Sequence, residues 1–81
     1  MKKINVIGHV YVPLANLKDF CEEIKKIKAD VNIKDGNLKF DAKSIIALAA
    51  LNKRNLLIEL IPDNINDLKV FESILLKYPT L

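Results

Sequence analysis

Apolar residues along this chain switch between two periods, and the switches mark its elements. Ile4, Val6, Val10 and Val12 share one parity while Asn5, His9 and Tyr11 share the other. That alternation predicts a half-buried strand, expected to end near Gly8, and Pro13 stops any further ladder. From Asn16 onward Leu17, Phe20, Cys21, Ile24 and Ile27 recur at spacings of three and four, with charged residues between them. This is an amphipathic helix, with Asn16 as its expected N-cap and Asp19 in the first turn. Val31 and Ile33 then alternate into Asp35-Gly36, a hairpin turn that uses glycine's freedom at positive φ, and Leu38 and Phe40 alternate on the return strand.

A short helix follows over Ile45 to Leu51. It is apolar on most sides, which predicts packing against much of the molecule. Leu56, Ile58 and Leu60 alternate with Leu57, Glu59 and Ile61 in a fourth strand that Pro62 closes. The last helix opens at Asp63-Asn64, carries Ile65, Leu68, Phe71, Ile74 and Leu75 on one face, and ends near Pro79. The order is β-α-β-β-α-β-α. Four antiparallel strands covered on one face by three helices make an α+β two-layer sandwich, because a single apolar sheet face needs a single covering layer. Its expected core is Ile4, Val6, Phe20, Ile24, Val31, Ile33, Phe40, Leu48, Leu51, Ile58, Leu60, Leu68 and Phe71.

Length and composition narrow the chemistry. The 81 residues form one domain, 1–81, with 51% apolar and 28% charged residues. A domain of this size buries only about 60% of its unfolded surface, so every apolar face is needed. No apolar run approaches the ~20 residues of a membrane span. Met1-Lys2-Lys3-Ile4 leads straight into strand-like sequence with no signal-peptide core, so a cytoplasmic location and no membrane partner are expected. Ile, Leu, Lys and Asn are abundant, a bias of AT-rich, bacterial coding. The net charge of +3 comes from lysines dispersed among acids, with Arg54 the only arginine. That dispersal reads as a solvated surface, and no direct nucleic-acid contact is expected.

Conventional catalysis finds little to work with. Cys21 lies on the apolar stripe of the first helix and reads as a small buried hydrophobe. His9 has no second His or Cys to build a metal site, and the two glycines, Gly8 and Gly36, are too far apart for a phosphate loop. No metal and no cofactor are expected, and the chain reads as a binding or carrier domain, not an enzyme.

The stretch Asp41-Ala42-Lys43-Ser44-Ile45-Ile46-Ala47-Leu48-Ala49-Ala50-Leu51 resembles the segment that holds the regulatory serine of HPr, the phosphocarrier protein of the bacterial sugar phosphotransferase system. That family runs Ala-Lys-Ser, two bulky apolar residues, a small residue and an apolar stretch ending in Leu. It shares the element order over nearly the whole chain, with a hairpin directly before Ala-Lys-Ser. The resemblance implies an HPr-like open-faced sandwich with the fourth strand between the first and second. A ferredoxin-like, ACT-type small-molecule sensor is the alternative fold, with sheet order 4-1-3-2.

The resemblance fails where the family does its chemistry. HPr carries a phosphoryl group on the histidine of a Gly-Leu-His-x-Arg-Pro-Ala motif at the start of its first helix. Counting back from Ser44 places Pro13 at that histidine, Ala15 at the arginine and Asn16 at the proline. Proline offers no nucleophilic nitrogen, and alanine cannot clamp a phosphoryl group as a guanidinium does. The resemblance therefore implies a degenerate member, a regulatory or protein-binding module in the manner of the HPr paralogue that serves as a corepressor. A phosphocarrier using His9 is the alternative, against the plain reading of His9 as a surface or loop residue. Ser44 is the candidate phosphorylation site. As a cap it has a structural role, and a phosphoserine there would set about two negative charges against free backbone N–H groups. Resemblance implies HPr kinase/phosphorylase as the enzyme that modifies it. Asp41, three residues upstream, is the competing cap. The family's docking face would carry over as Ile45, Ile46 and Ala49 with Lys43 at the rim, the partner being a protein. Adjacent Ile45 and Ile46 lie about 100° apart on a helix, so one of them must face away from the core.

Overall fold

The protein's structure is a computed structural model that describes residues 4–80. The first three residues of the Met1-Lys2-Lys3-Ile4 stretch lie outside that range. Strand β1 spans Val6–Tyr11, α1 Leu17–Ile24, β2 Val31–Asp35, β3 Leu38–Asp41, α2 Ile45–Leu51, β4 Asn55–Leu60 and α3 Ile65–Lys77, with one 3-10 turn at Leu14–Asn16 before α1. All neighbours in the sheet are antiparallel and their order is β1-β4-β2-β3. The last strand in sequence sits inside the sheet, as the resemblance implies. The ferredoxin-like alternative is overturned by this order.

Register explains which residues face the helices. Val6 and Val31 flank Leu60, Gly8 and Ile33 flank Ile58, and Val10 faces Leu56. These rows form the floor of a core completed by Phe20, Ile24 and Ile27 of the first helical stretch, Leu48 of α2, and Phe71 and Ile74 of α3. The Phe20 ring meets Tyr78 edge-on, centroids 5.3 Å apart and planes at 86°, the arrangement that ring quadrupoles favour.

Several expectations need correction. Ile4 precedes β1 and is 71% exposed, because the ladder ends at the Val6–Leu60 pair. Val6, Phe40 and Leu51 are half-buried at the margin of the core, not within it, and Leu68 is half-buried outside it. Strand β1 does not stop at Gly8; it runs on to Tyr11. A Cβ at position 8 would collide with the Leu75 side chain, so this glycine lets α3 approach the sheet. Helix α2 buries only Leu48. In a two-layer fold a two-turn helix has one layer to pack on, and its other sides meet solvent.

The open face of the sheet carries the opposite parity. Lys34 and Lys39 face each other across β2 and β3, a like-charge pairing that is unfavourable by itself. Glu59 on β4 offsets it. Its Oε1 lies 3.2 Å from Lys39 Nζ, at ion-pair distance but without hydrogen-bond alignment, and its Oε2 accepts from Asn5 Nδ2 at 2.8 Å. Neighbouring side chains cover Glu59 to 2% exposure, although it lies on the outer side of the sheet. The Lys39 ammonium beside it, opposed by desolvation and aided by Lys34, holds its carboxyl below the ordinary 4.5. A depressed carboxylate stabilises the fold above its unfolded pKa, and that contribution disappears as pH falls through the folded one. Glu59→Gln should therefore lower stability at pH 7, with the deficit shrinking as pH falls below 4.5 and through the depressed folded pKa, read from urea melts of both proteins along a pH series.

The segment between α1 and β2 is held from a distance. Asp67, in the first turn of α3, is buried and accepts from Lys28 N at 3.1 Å and Ala29 N at 3.3 Å through its two oxygens. Asn64 caps the same turn, its Oδ1 accepting from Asp67 N at 2.9 Å. One short motif thus closes α3 and anchors the chain leaving α1.

Candidate functional site

The chain leaves β1 through Val12, whose N–H donates to the Arg54 carbonyl at 2.8 Å. Pro13, lacking an N–H, takes an extended conformation, and its carbonyl accepts from Asn16 N at 2.8 Å. That bond closes the 3-10 turn Leu14–Asn16, which runs directly into α1. Asn16 holds the expected N-cap position of α1, with φ −102° and ψ 4°, but its side chain makes no capping hydrogen bond, because the 3-10 turn leads the chain into the helix instead. Pro13 is half-buried and Ala15 exposed. Neither offers a group that can accept or hold a phosphoryl.

Ser44 is built into the lead-in to α2. Asp41 Oδ1 accepts from Lys43 N at 2.9 Å, turning the chain as it leaves β3, and Ser44 N donates to the Asp41 carbonyl at 3.1 Å. With an extended backbone, φ −94° and ψ 110°, Ser44 then accepts from Ala47 N through Oγ at 3.2 Å. Ser44 is thus the cap, and Asp41 shapes the turn before it. Cys21 ties the same segment to α1: its thiol donates to the Lys43 carbonyl at 3.2 Å. Burial pushes the Cys21 thiol up, so it stays protonated and able to donate. The Ser44 residue is half-buried, not enclosed. Ser44→Ala should cost about 1 kcal/mol and Ser44→Asp less, since a carboxylate also caps; denaturant melts check both.

Beyond Ser44, α2 presents an apolar outer face. Ile45 is 39% and Ile46 79% exposed. Ala49, one turn further on, lines a shallow groove with Leu14, Leu17 and Leu48, and Lys53 and Arg54 stand at its end. Leu14, 65% exposed, extends the apolar surface onto the turn that begins at Pro13. The groove thus sets Ala49 of α2 near Leu14, in the turn between Pro13 and Ala15, while Ile45 and Ile46 stand exposed one turn earlier on α2. Sequence reasoning did not identify Leu14, Lys53 or Arg54. Leu14 lies in an aperiodic stretch, and the two cations follow Asn52, which ends α2 in a left-handed conformation, φ 50°, that apolar periodicity does not register.

His9 is placed elsewhere. It pairs with Leu57 in the β1–β4 ladder and projects, exposed, from the sheet face opposite the helices. The structure does not bring it together with Ser44 or with the start of α1. Among the described residues no group of three His, Cys, Asp or Glu side chains is arranged to hold a metal ion, and no helix is long and apolar enough to cross a membrane.

No protein-family model matches the chain, and no curated protein does. Among solved structures it is similar to the crystal structure of HPr-C-His from Thermoanaerobacter tengcongensis, with a TM-score of 0.61 and 15% identity over 93% of this chain and 88% of that one. Identity that low shows the fold alone. With its sheet order and its single helical layer, the chain is an α+β open-faced sandwich of the HPr-like type.

Proposed function

We propose that this chain is a degenerate HPr-like protein, without histidine phosphotransfer, that works as a regulatory or protein-binding module. The observation that carries this reading is the exposed apolar side of α2, Ile45, Ile46 and Ala49, with Leu14 lining the same groove as Ala49. Solvent-exposed Ile and Leu side chains side by side on a small domain mark a surface that another protein covers. Lys43 at the start of α2 and Lys53 and Arg54 at the groove's end give that surface a cationic rim, suited to a partner with acidic residues around an apolar centre.

Ser44 lies at the edge of the same surface. A phosphoryl group there places negative charge next to Lys43 and Ile45 and changes what can dock, which makes Ser44 the regulatory point of the module. The location that accompanies this role is cytoplasmic, the partner is a protein, and no cofactor takes part.

Two measurements test the proposal. Incubation with phosphoenolpyruvate and Enzyme I should leave no acid-labile phosphate on the wild type. Labelling that vanishes in His9→Ala would establish the phosphocarrier alternative instead. In parallel, protein captured from a bacterial lysate by the wild type should be lost with Ile46→Asp, a change at an exposed position that leaves the melt untouched. Capture that survives Ile46→Asp would place the interaction elsewhere.

A further inference from the structure

One end of the sheet is open in a way the docking surface does not use. The β2–β4 ladder stops at Lys34↔Leu57, whereas β1 stays paired with β4 through Tyr11↔Asn55. Strand β2 thus parts from β4 near its hairpin, and the separation leaves a cleft of about 210 Å³. Leu51 from the helix layer and Leu57 from the open face both line it, together with His9, Lys34 and Lys53. Asn55 adds a side-chain amide and Thr80 a hydroxyl.

The charge is unbalanced. Among the described residues the one carboxylate lining the cleft, Asp35, is engaged by Lys53 at 2.6 Å. Lys34 is half-buried and shares the single charge of Glu59 with Lys39, which takes the close contact, so among the described residues no carboxylate lies within ion-pair distance of Lys34. The cleft therefore offers one ammonium outside any close ion pair, a side-chain amide, a hydroxyl and an apolar lining. The other lysine lining the cleft, Lys53, is already paired with Asp35, so among the described residues a second ammonium free of a close ion pair, which a phosphate dianion would call for, is not present there. At about 210 Å³ the cleft lies below the roughly 300–1,000 Å³ of drug-sized sites, so its occupant is small.

We propose that this cleft binds a small organic monocarboxylate, its charged end on Lys34 beside His9 and its short apolar body against Leu51 and Leu57. A carboxylate supplies the close ion-pair partner that Lys34 lacks among the described residues, since Glu59 is held by Lys39, and the hydrocarbon covers apolar surface that is otherwise wet. This site is independent of the docking face on α2 and of any modification at Ser44.

Benzoate is the probe, titrated into the ¹⁵N-labelled chain while amide shifts are followed. Saturable shifts confined to the cleft, at His9, Lys34, Asn55 and Leu57, are expected, with a dissociation constant in the low millimolar range appropriate to so small a ligand. Lys34→Met and Lys34→Gln should each weaken binding about tenfold, the effect of removing one charge-assisted contact. Benzyl alcohol, which keeps the ring and lacks the charge, should not saturate. The proposal is overturned by shifts that rise linearly without saturation, by equal saturation with benzyl alcohol, or by undiminished binding in both Lys34 variants.

Discussion

Truncating Phe20 to alanine is expected to lower the free energy of unfolding by about 4 kcal/mol, the usual scale for emptying a fully enclosed ring position. Phe20 is completely buried on the inner stripe of α1. Its removal leaves a hole between the sheet and α1, and it takes away the edge-on partner of Tyr78. Tyr78 holds the end of α3 to the sheet, because its carbonyl accepts from Tyr11 N at 3.1 Å. The loss should therefore reach both α1 and the C-terminal end of α3. Phe20→Leu keeps most of the volume and should cost less than half as much. Urea melts of the three proteins measure the difference, and equal midpoints for wild type and Phe20→Ala would contradict the packing described.

Asp67→Ala is expected to cost about 3 kcal/mol, because two main-chain donors lose a charged acceptor at once. For a domain of this size that corresponds to a fall in melting temperature of about 15 °C. Asp67→Asn retains one carbonyl acceptor and should fall between wild type and Ala. Amide exchange distinguishes this local mechanism from a general loss of stability. The Lys28 and Ala29 amides should gain the most in exchange rate, since they donate to Asp67, while the Asp67 amide, held by Asn64, should gain least.

These two residues illustrate what the sequence does and does not make legible. Phe20 stands on an unbroken three-four stripe, so its burial follows from periodicity. The β4 alternation of Leu56, Ile58 and Leu60, the positive φ of Gly36 (61°) and the Ser44 cap are equally local, and all three are found as expected. Asp67 is different. An acid in the first turn of a helix looks like an ordinary complement to the helix dipole, and nothing nearby reveals that it reaches residues 38 and 39 positions away. Gly8 looks like the end of a strand when it is a point of close approach, because its reason for being glycine is Leu75. The exposure of α2 was hidden for a related reason. An apolar heptapeptide has the same pattern whether neighbours surround it or one layer touches it. At the candidate site, Ser44, Ile45, Ile46 and Ala49 could be placed by resemblance, whereas Leu14 joins them only through the turn after Pro13.

The position of β4 has a consequence for how the chain reaches this structure. Strand β1 and the β2–β3 hairpin are not neighbours; each pairs with β4, and β4 is among the last segments in sequence. Until residues 55–60 are available, the first half of the chain has one isolated strand and one hairpin, neither able to shield its apolar side. Two-stranded pieces of this kind are marginal in water. Closing the β1–β4 pair also joins residues about fifty positions apart, and non-local pairing of that sort slows folding. Nascent chains truncated before β4 should thus remain protease-sensitive on the ribosome, and protection should arrive in a single step once β4 and α3 have emerged.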